Sequence, residues 1–269
     1  MTVVLRMLIC GLTTDCECSN RSIGYVVLAR SSSIGHDETM GANAGQPEAA
    51  IQRRLGAQAR TLILDAAAEL FTVLGYAGTS TRAIADAVGI RQPSLYHHFK
   101  TKEEIACALL NQTVTPTLAL IPHLLGTVPA LSPAGHLHAL AVFDGGRLLN
   151  RRWNLGTLYL QPELRSPGLE PFWQGHDRLR WHYLNLSQSV VAETGISRAA
   201  AELPFRMVES LVFLWHTESG PYRDDLPTQI ADACLRALGV VESDIERISE
   251  ASRGLLERYT ASHAVGWES

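Results

Sequence analysis

Residues 79–102, TSTRAIADAVGIRQPSLYHHFKTK, constrain the fold more than any other stretch of the chain. Ile84, Ala85 and Val88 fall on one helical face, Gly89 follows as a break, and Pro93 opens a second short segment carrying Leu95 and Phe99. The pattern predicts helix, tight turn, helix. Glycine suits a left-handed helix end, and proline is tolerated in a first turn, where its missing N–H has no partner to lose. Two helices this short cannot bury their apolar faces alone. Residues 60–75 supply the neighbour, with Ile63, Ala66, Ala67, Leu70 and Phe71 at the spacing of a buried stripe.

The order and spacing of further residues add to this. Phe71 and Gly75-Tyr76 end the first amphipathic helix. Thr79 to Arg82, Ile84-Ala85, Val88-Gly89-Ile90, Leu95-Tyr96, His98-Phe99 and Lys102 follow. Over roughly residues 58–110 this pattern resembles the TetR family of bacterial transcriptional regulators. The resemblance implies an all-α protein: a three-helix helix-turn-helix DNA-binding domain, residues 58–102, followed by a helical ligand-binding and dimerisation domain, residues 103–269.

On that resemblance the second short helix reads DNA, with Gln92, Pro93, Ser94, Tyr96 and His98 facing the duplex and Thr81, Arg82 and Lys102 flanking it. Gln92 has the donor and acceptor to pair with adenine, Pro93 suits a thymine methyl, and Ser94 serves either role. Tyr96, His98, Thr81 and Lys102 are assigned to phosphates, which fix register without reading bases, while the Arg82 guanidinium matches a guanine edge and a phosphate equally well. A plainer reading stands beside each: Tyr96 and His98 as partly packed helix residues, Arg82 and Lys102 as solvated charges. Arg91 and His97 occupy positions that vary within the family, and Arg91 replaces the small polar residue that often caps this turn.

Charge agrees in sign. The chain carries −4 overall. Residues 50–105 hold seven basic side chains (Arg53, Arg54, Arg60, Arg82, Arg91, Lys100, Lys102) against five acidic ones (Asp65, Glu69, Asp86, Glu103, Glu104), a local +2 that leaves −6 elsewhere. A basic head on an acidic body fits DNA binding, although the difference carries weight only with the motif. At 269 residues and 46% hydrophobic, the chain has enough apolar surface for a core. No uninterrupted run reaches the about 18 apolar residues of a membrane span, so no membrane partner is expected.

Five cysteines, Cys10, Cys16, Cys18, Cys107 and Cys234, follow no disulfide framework and read as reduced thiols of a cytoplasmic protein. Cys16-x-Cys18 lacks the CxxC or histidine partners of a metal site, and Cys107 and Cys234 sit on apolar helical faces. Residues 1–57 show Ser-rich and Gly-rich stretches without sustained helical period and are expected to be poorly ordered. Met40 precedes a stretch resembling the usual leader of such regulators, so residues 1–39 read as an upstream-start artefact. The rival is a genuine extension, with Arg53 and Arg54 as a basic arm.

Beyond the head, Thr101-Lys102-Glu103-Glu104 forms a capping box, starting a helix with Ile105, Ala106, Leu109 and Leu110 inward. Pro116 and Pro122 are expected to bend or end it. In the family this helix joins head to body. Ser132-Pro133 caps the next helix, whose stripe is Leu137, Leu140 and Ala141. Further stripes run through Leu179, Tyr183, Leu186 and Val190, then Met207, Val208, Leu211, Val212 and Trp215. Ile230, Ala233, Cys234, Ala237 and Leu238 form another, and Ile245, Ile248, Ser252, Leu255 and Leu256 a last, weaker one.

The resemblance implies a homodimer whose two reading helices lie about 34–36 Å apart on a palindromic operator. Residues 205–218 and 228–238 are assigned to its four-helix interface. It further implies a small-molecule effector, with Phe143, Trp153, Tyr159, Trp173, Tyr183 and Trp215 as candidate pocket residues. Any of these aromatics could instead be core. His136, His138, His176 and His182 have no partners at metal-ligand spacing and read as solvated or hydrogen-bonded; no metal or cofactor is expected.

No phosphate-binding glycine loop, G-x-S-x-G elbow or H-E-x-x-H pair is present, so the chain does not read as an enzyme. Asp144-Gly145-Gly146-Arg147 is too short to carry chemistry. The expected function is a sequence-specific DNA-binding regulator, a repressor released by a small ligand. The alternative is a helical protein-interaction adaptor that no longer binds DNA.

Overall fold

Gly75, with φ of 76°, breaks the first helix at the point where the sequence places a stop. Helix α1 runs Gly45–Gly78 across this kink and starts well ahead of residue 58, so residues 45–57, read as lacking helical period, are helical. In this computed structural model the described residues are 45–127, 131–149, 155–214 and 225–263. Residues 1–44, including Met40 and the three N-terminal cysteines, lie outside them.

Ser80 caps α2 (Thr81–Val88) by accepting the Ala83 N–H at 3.1 Å, satisfying a donor that the helix cannot. Gly89 closes it at φ 77°, where a side chain would crowd the backbone, and the Gly89 and Ile90 N–H groups return to Asp86 and Ala85 carbonyls. Helix α3 (Gln92–His98) follows, with Pro93 in its first turn. Arg91 occupies its cap position without a side-chain hydrogen bond, so this turn lacks the help Ser80 gives α2. Ile63, Ala67 and Phe71 of α1, Ile84 and Ala85 of α2, and Leu95 and Phe99 around α3 are buried together. Each large apolar side chain so buried contributes about 1.5–3 kcal/mol, which is what holds three short elements in one arrangement.

The α4 helix (Lys102–Thr127) leaves the head directly. Thr101 Oγ1 accepts the Glu104 N–H at 3.1 Å, while Glu104 Oε2 accepts from the Lys100 N–H at 2.6 Å, one residue before the cap itself. Pro116 and Pro122 lie inside the helix and do not end it, which leaves only the bend of the two outcomes expected from sequence. Each removes one backbone bond, but Leu109, Leu110, Val114, Leu120, Ile121 and Leu124 are buried along the same helix and their packing outweighs that loss.

Helix α5 (Pro133–Leu149) is the axis of the body, capped by Ser132, whose Oγ accepts the Gly135 N–H at 3.2 Å. Around it pack α6 (Glu170–Thr194), α7 (Leu203–Glu209), α8 (Leu226–Ala237) and α9 (Glu242–His263). Short 3-10 turns at Leu155–Leu160, Pro162–Leu164 and Pro167–Leu169 fill the α5–α6 connection, as its prolines suggest. The stripe beginning at Met207 is not one α-helix: α7 passes into a 3-10 turn, Ser210–Leu214, and Trp215 lies outside the described residues. No strand occurs among the described residues, and the fold is all-α.

Head and body share a core. Helix α1 packs on α4 and on the 155–160 turn, and the 167–169 turn packs on α4. A Cβ placed on Gly168 would lie 2.7 Å from Glu103 Oε2 and 3.1 Å from Glu103 Cβ, so the backbone here approaches the first turn of α4 closely and a side chain would require Glu103 to shift. By average hydropathy Gly56–Gly78 and Lys102–Gly126 are long and apolar enough to cross a membrane, which counting uninterrupted runs overlooks. Both put their apolar stripes into the core just described.

Candidate nucleic-acid interface

One face of α3 is left open by the burial of Leu95 and Phe99. Gln92, Pro93, Tyr96, His97 and Lys100, at i, i+1, i+4, i+5 and i+8, line a shallow concavity on it. Ser94 is exposed beside this face. Three of the expected contact residues are pre-positioned by one another: Gln92 Nε2 donates to Thr81 Oγ1 at 3.1 Å and to Tyr96 Oη at 3.3 Å, and the Thr81 and Tyr96 hydroxyls share a bond of 3.1 Å. This triangle joins α2 to α3 and fixes the phenol and amide rotamers before any partner arrives. Arg82 stands out in solvent, its Nε 3.8 Å from Asp86 on the next turn.

Lys102 is placed differently from the others. Its Nζ donates to the carbonyls of Tyr76 and Thr79, both at 2.9 Å, and lies 4.2 Å above the Tyr76 ring. Burial lowers its pKa and, together with the nearby Glu103 charge, raises that of Tyr76 to about 12. Lys102 therefore clamps the α1–α2 connection, and two of its three N–H donors serve that purpose. His98 is half-buried, and its carbonyl accepts from Arg60 Nη1 at 3.1 Å. The Arg60 guanidinium also stacks 4.0 Å over the Phe99 ring, tying α1 to the end of α3. Lys100 Nζ reaches the Tyr96 carbonyl at 3.2 Å. From sequence Arg60 and Lys100 count only toward the basic charge of the head; Lys100 lies past the end of α3, beyond the extended Phe99, so helical period does not place it on this face.

The aromatic candidates of the body scatter. Trp173 borders a cavity of about 280 Å3 with Arg165, His176, Arg206, Glu209 and Phe213. Phe143 instead packs edge-on against Tyr259, ring centroids 5.8 Å apart. Tyr183 is buried, its Oη donating to Asp144 Oδ2 at 3.0 Å, and Thr117 Oγ1 donates to Asp144 Oδ1 at 2.8 Å. Burial lifts the Asp144 pKa from an ordinary 3.8 to about 6, against the lowering effect of those two donors. Trp153, Trp215 and the Tyr159 side chain lie outside the described residues. Of the four histidines singled out in the sequence, His138 Nε2 is hydrogen-bonded with Asp232 Oδ1 at 2.9 Å and His176 Nε2 with Glu209 Oε1 at 2.8 Å.

Residues 63–109 match the family model for bacterial regulatory proteins, tetR family. Mycobacterium smegmatis AmtR has a crystal structure that superposes with a TM-score of 0.64 at 44% identity, covering 71% of this chain and 92% of that one. The chain belongs to the TetR family. Among curated TetR-like relatives, the transcriptional repressor KstR2 of Rhodococcus jostii is 51% identical over 51 residues, 19% of this chain and 25% of that protein. The Escherichia coli tetracycline repressor of class C is 38% identical over 56 residues, 21% of this chain and 26% of that protein. The chain thus matches about a quarter of the length of these curated relatives. The TetR fold extends through the body.

Proposed function

We propose that this chain is a sequence-specific DNA-binding transcriptional repressor that acts as a homodimer on a palindromic operator and releases it when a small molecule binds the body. The observation that carries the reading is the exposed face of α3, where Thr81, Gln92 and Tyr96 hold each other in position over a buried anchor of Leu95 and Phe99. Gln92, Pro93 and Ser94 are assigned to base edges. Tyr96, Thr81, His98 and Arg82 are assigned to phosphates or, for Arg82, a guanine edge. Lys102 keeps one N–H for a phosphate while its clamp sets the angle of α2.

Residues 58–102 act as the head and 103–269 as the body. Helix α4 connects them, and the close approach of Gly168 to Glu103 gives the body a direct contact with its first turn. A second copy is assigned to residues 205–218 and 228–238, where Leu214 is an exposed apolar side chain in need of cover. The KstR2 and tetracycline proteins are named as repressors, which supports repression here, and a cytoplasmic site of action follows from the DNA target.

Selecting bound sites from random duplexes with the full chain tests this. A two-fold site is the expected product, with affinity falling steeply as salt rises and falling again in Tyr96→Ala. Recovery of no two-fold site would refute the reading.

A further inference from the structure

The cavity between the 162–169 segment, α6 and α7 has a charge inventory that selects its occupant. Among the described residues, Arg165 and Arg206 face it against one carboxylate, Glu209. Both oxygens of that carboxylate are engaged: Oε1 with His176 Nε2 at 2.8 Å, and Oε2 with Arg206 Nη1 at 2.5 Å. Burial alone would raise the Glu209 pKa, but the His176 and Arg206 contacts outweigh it and hold the group ionised. The Arg165 guanidinium lies over the Trp173 ring, its Cζ 3.7 Å from the centroid, and Trp173 is itself fixed by donating Nε1–H to the Leu164 carbonyl at 3.0 Å. Stacking uses the face of a guanidinium and leaves its N–H edge for an acceptor. Arg206 spends one of its donors on Glu209 and has others to offer.

We propose that this cavity is a receptor site for a small planar organic carboxylate, held by the N–H edges of Arg165 and Arg206 and flanked by the rings of Trp173 and Phe213. An amine or metal cation is opposed by two guanidinium groups and finds Glu209 already paired. A neutral amide finds the donors but lacks the charge that makes such bonds strong. The cavity of about 280 Å3 is at the small end of ligand sites, which suits a single ring rather than a polycyclic molecule. The site's regulatory role rests on the repressor reading, but its ligand chemistry does not.

The test uses the full chain without DNA and sodium benzoate as the probe, with benzamide as the neutral and benzylamine as the cationic isostere, read by titration calorimetry. Benzoate is expected to bind saturably, and benzamide at least about tenfold more weakly, the value of a charge-assisted pair. Benzylamine is expected not to bind. Arg165→Gln and Arg206→Gln should each weaken benzoate by at least about tenfold. Both side chains are largely exposed, so these variants keep the fold, which circular dichroism checks. Absence of benzoate binding, equal binding of benzamide, or unchanged binding in both variants would overturn the proposal. Arginine-dependent benzoate binding in a chain that selects no operator would uphold the site and sink the repressor reading, which separates the two failures.

Discussion

Asp144→Asn isolates the most perturbed carboxylate of the body. Asp144 is buried and ionises only near pH 6 in the fold, against 3.8 ordinarily. Between those values the native state holds a proton that the unfolded chain has released. Its favourable contribution is therefore complete below pH 3.8 and is lost as pH rises to about 6 and beyond. A rise of about two pH units corresponds to about 3 kcal/mol in full, of which about 2 kcal/mol falls between about pH 4.5 and 7.5.

Asparagine keeps the shape and removes the titration. Its Oδ1 takes the Thr117 hydroxyl proton and its Nδ2 donates to the Tyr183 oxygen, while the Tyr183 proton turns to the Leu140 carbonyl, already 3.4 Å away. The stability of the variant relative to the native chain should thus rise by about 2 kcal/mol from about pH 4.5 to 7.5. Urea unfolding of both proteins at one fixed concentration measures it, since dimer stability depends on concentration and the other titrating groups cancel in the difference. A difference that stays constant across this range, or that moves against the variant, refutes the buried-carboxylate account.

Substitutions at two positions probe the head. Gly89→Ala meets no atom within 4 Å, so its cost is that of forcing an alanine to φ 77°, about 1 kcal/mol by thermal unfolding. Gly89→Asn should lose less, because asparagine tolerates this region. Lys102→Met keeps the aliphatic stem but strands the Tyr76 and Thr79 carbonyls; a loss of about 1–3 kcal/mol is expected, with faster amide hydrogen exchange at residues 76–84. Unchanged exchange there would remove the clamp from the account.

The head was readable because its signals are local. Gly89 and Pro93 specify an end and a turn through backbone chemistry that acts within four residues, and the stripes of α1, α2 and α3 each need only one neighbour. The capping of α4 by Thr101 and of α5 by Ser132 was legible for the same reason. Pro116 and Pro122 leave open from sequence whether α4 bends or ends, because long-range burial and not a local rule decides that it continues. Asp144 was passed over in a four-residue string. It stands seven residues after Leu137 on the stripe of Leu140 and Ala141, and a carboxylate on an apolar stripe was the available sign of a buried polar cluster.

The sequence by itself determined that this chain builds a three-helix head, because helix caps, breaks and apolar period are properties of neighbouring residues. Tertiary structure alone decided what the side chains do once placed. It turned Lys102 inward onto two carbonyls, drew Thr117 and Tyr183 to Asp144 from residues 27 and 39 positions away, and set Arg165 and Arg206 around one cavity. Contacts between residues so distant in the chain depend on how whole helices cross, and no local pattern encodes that.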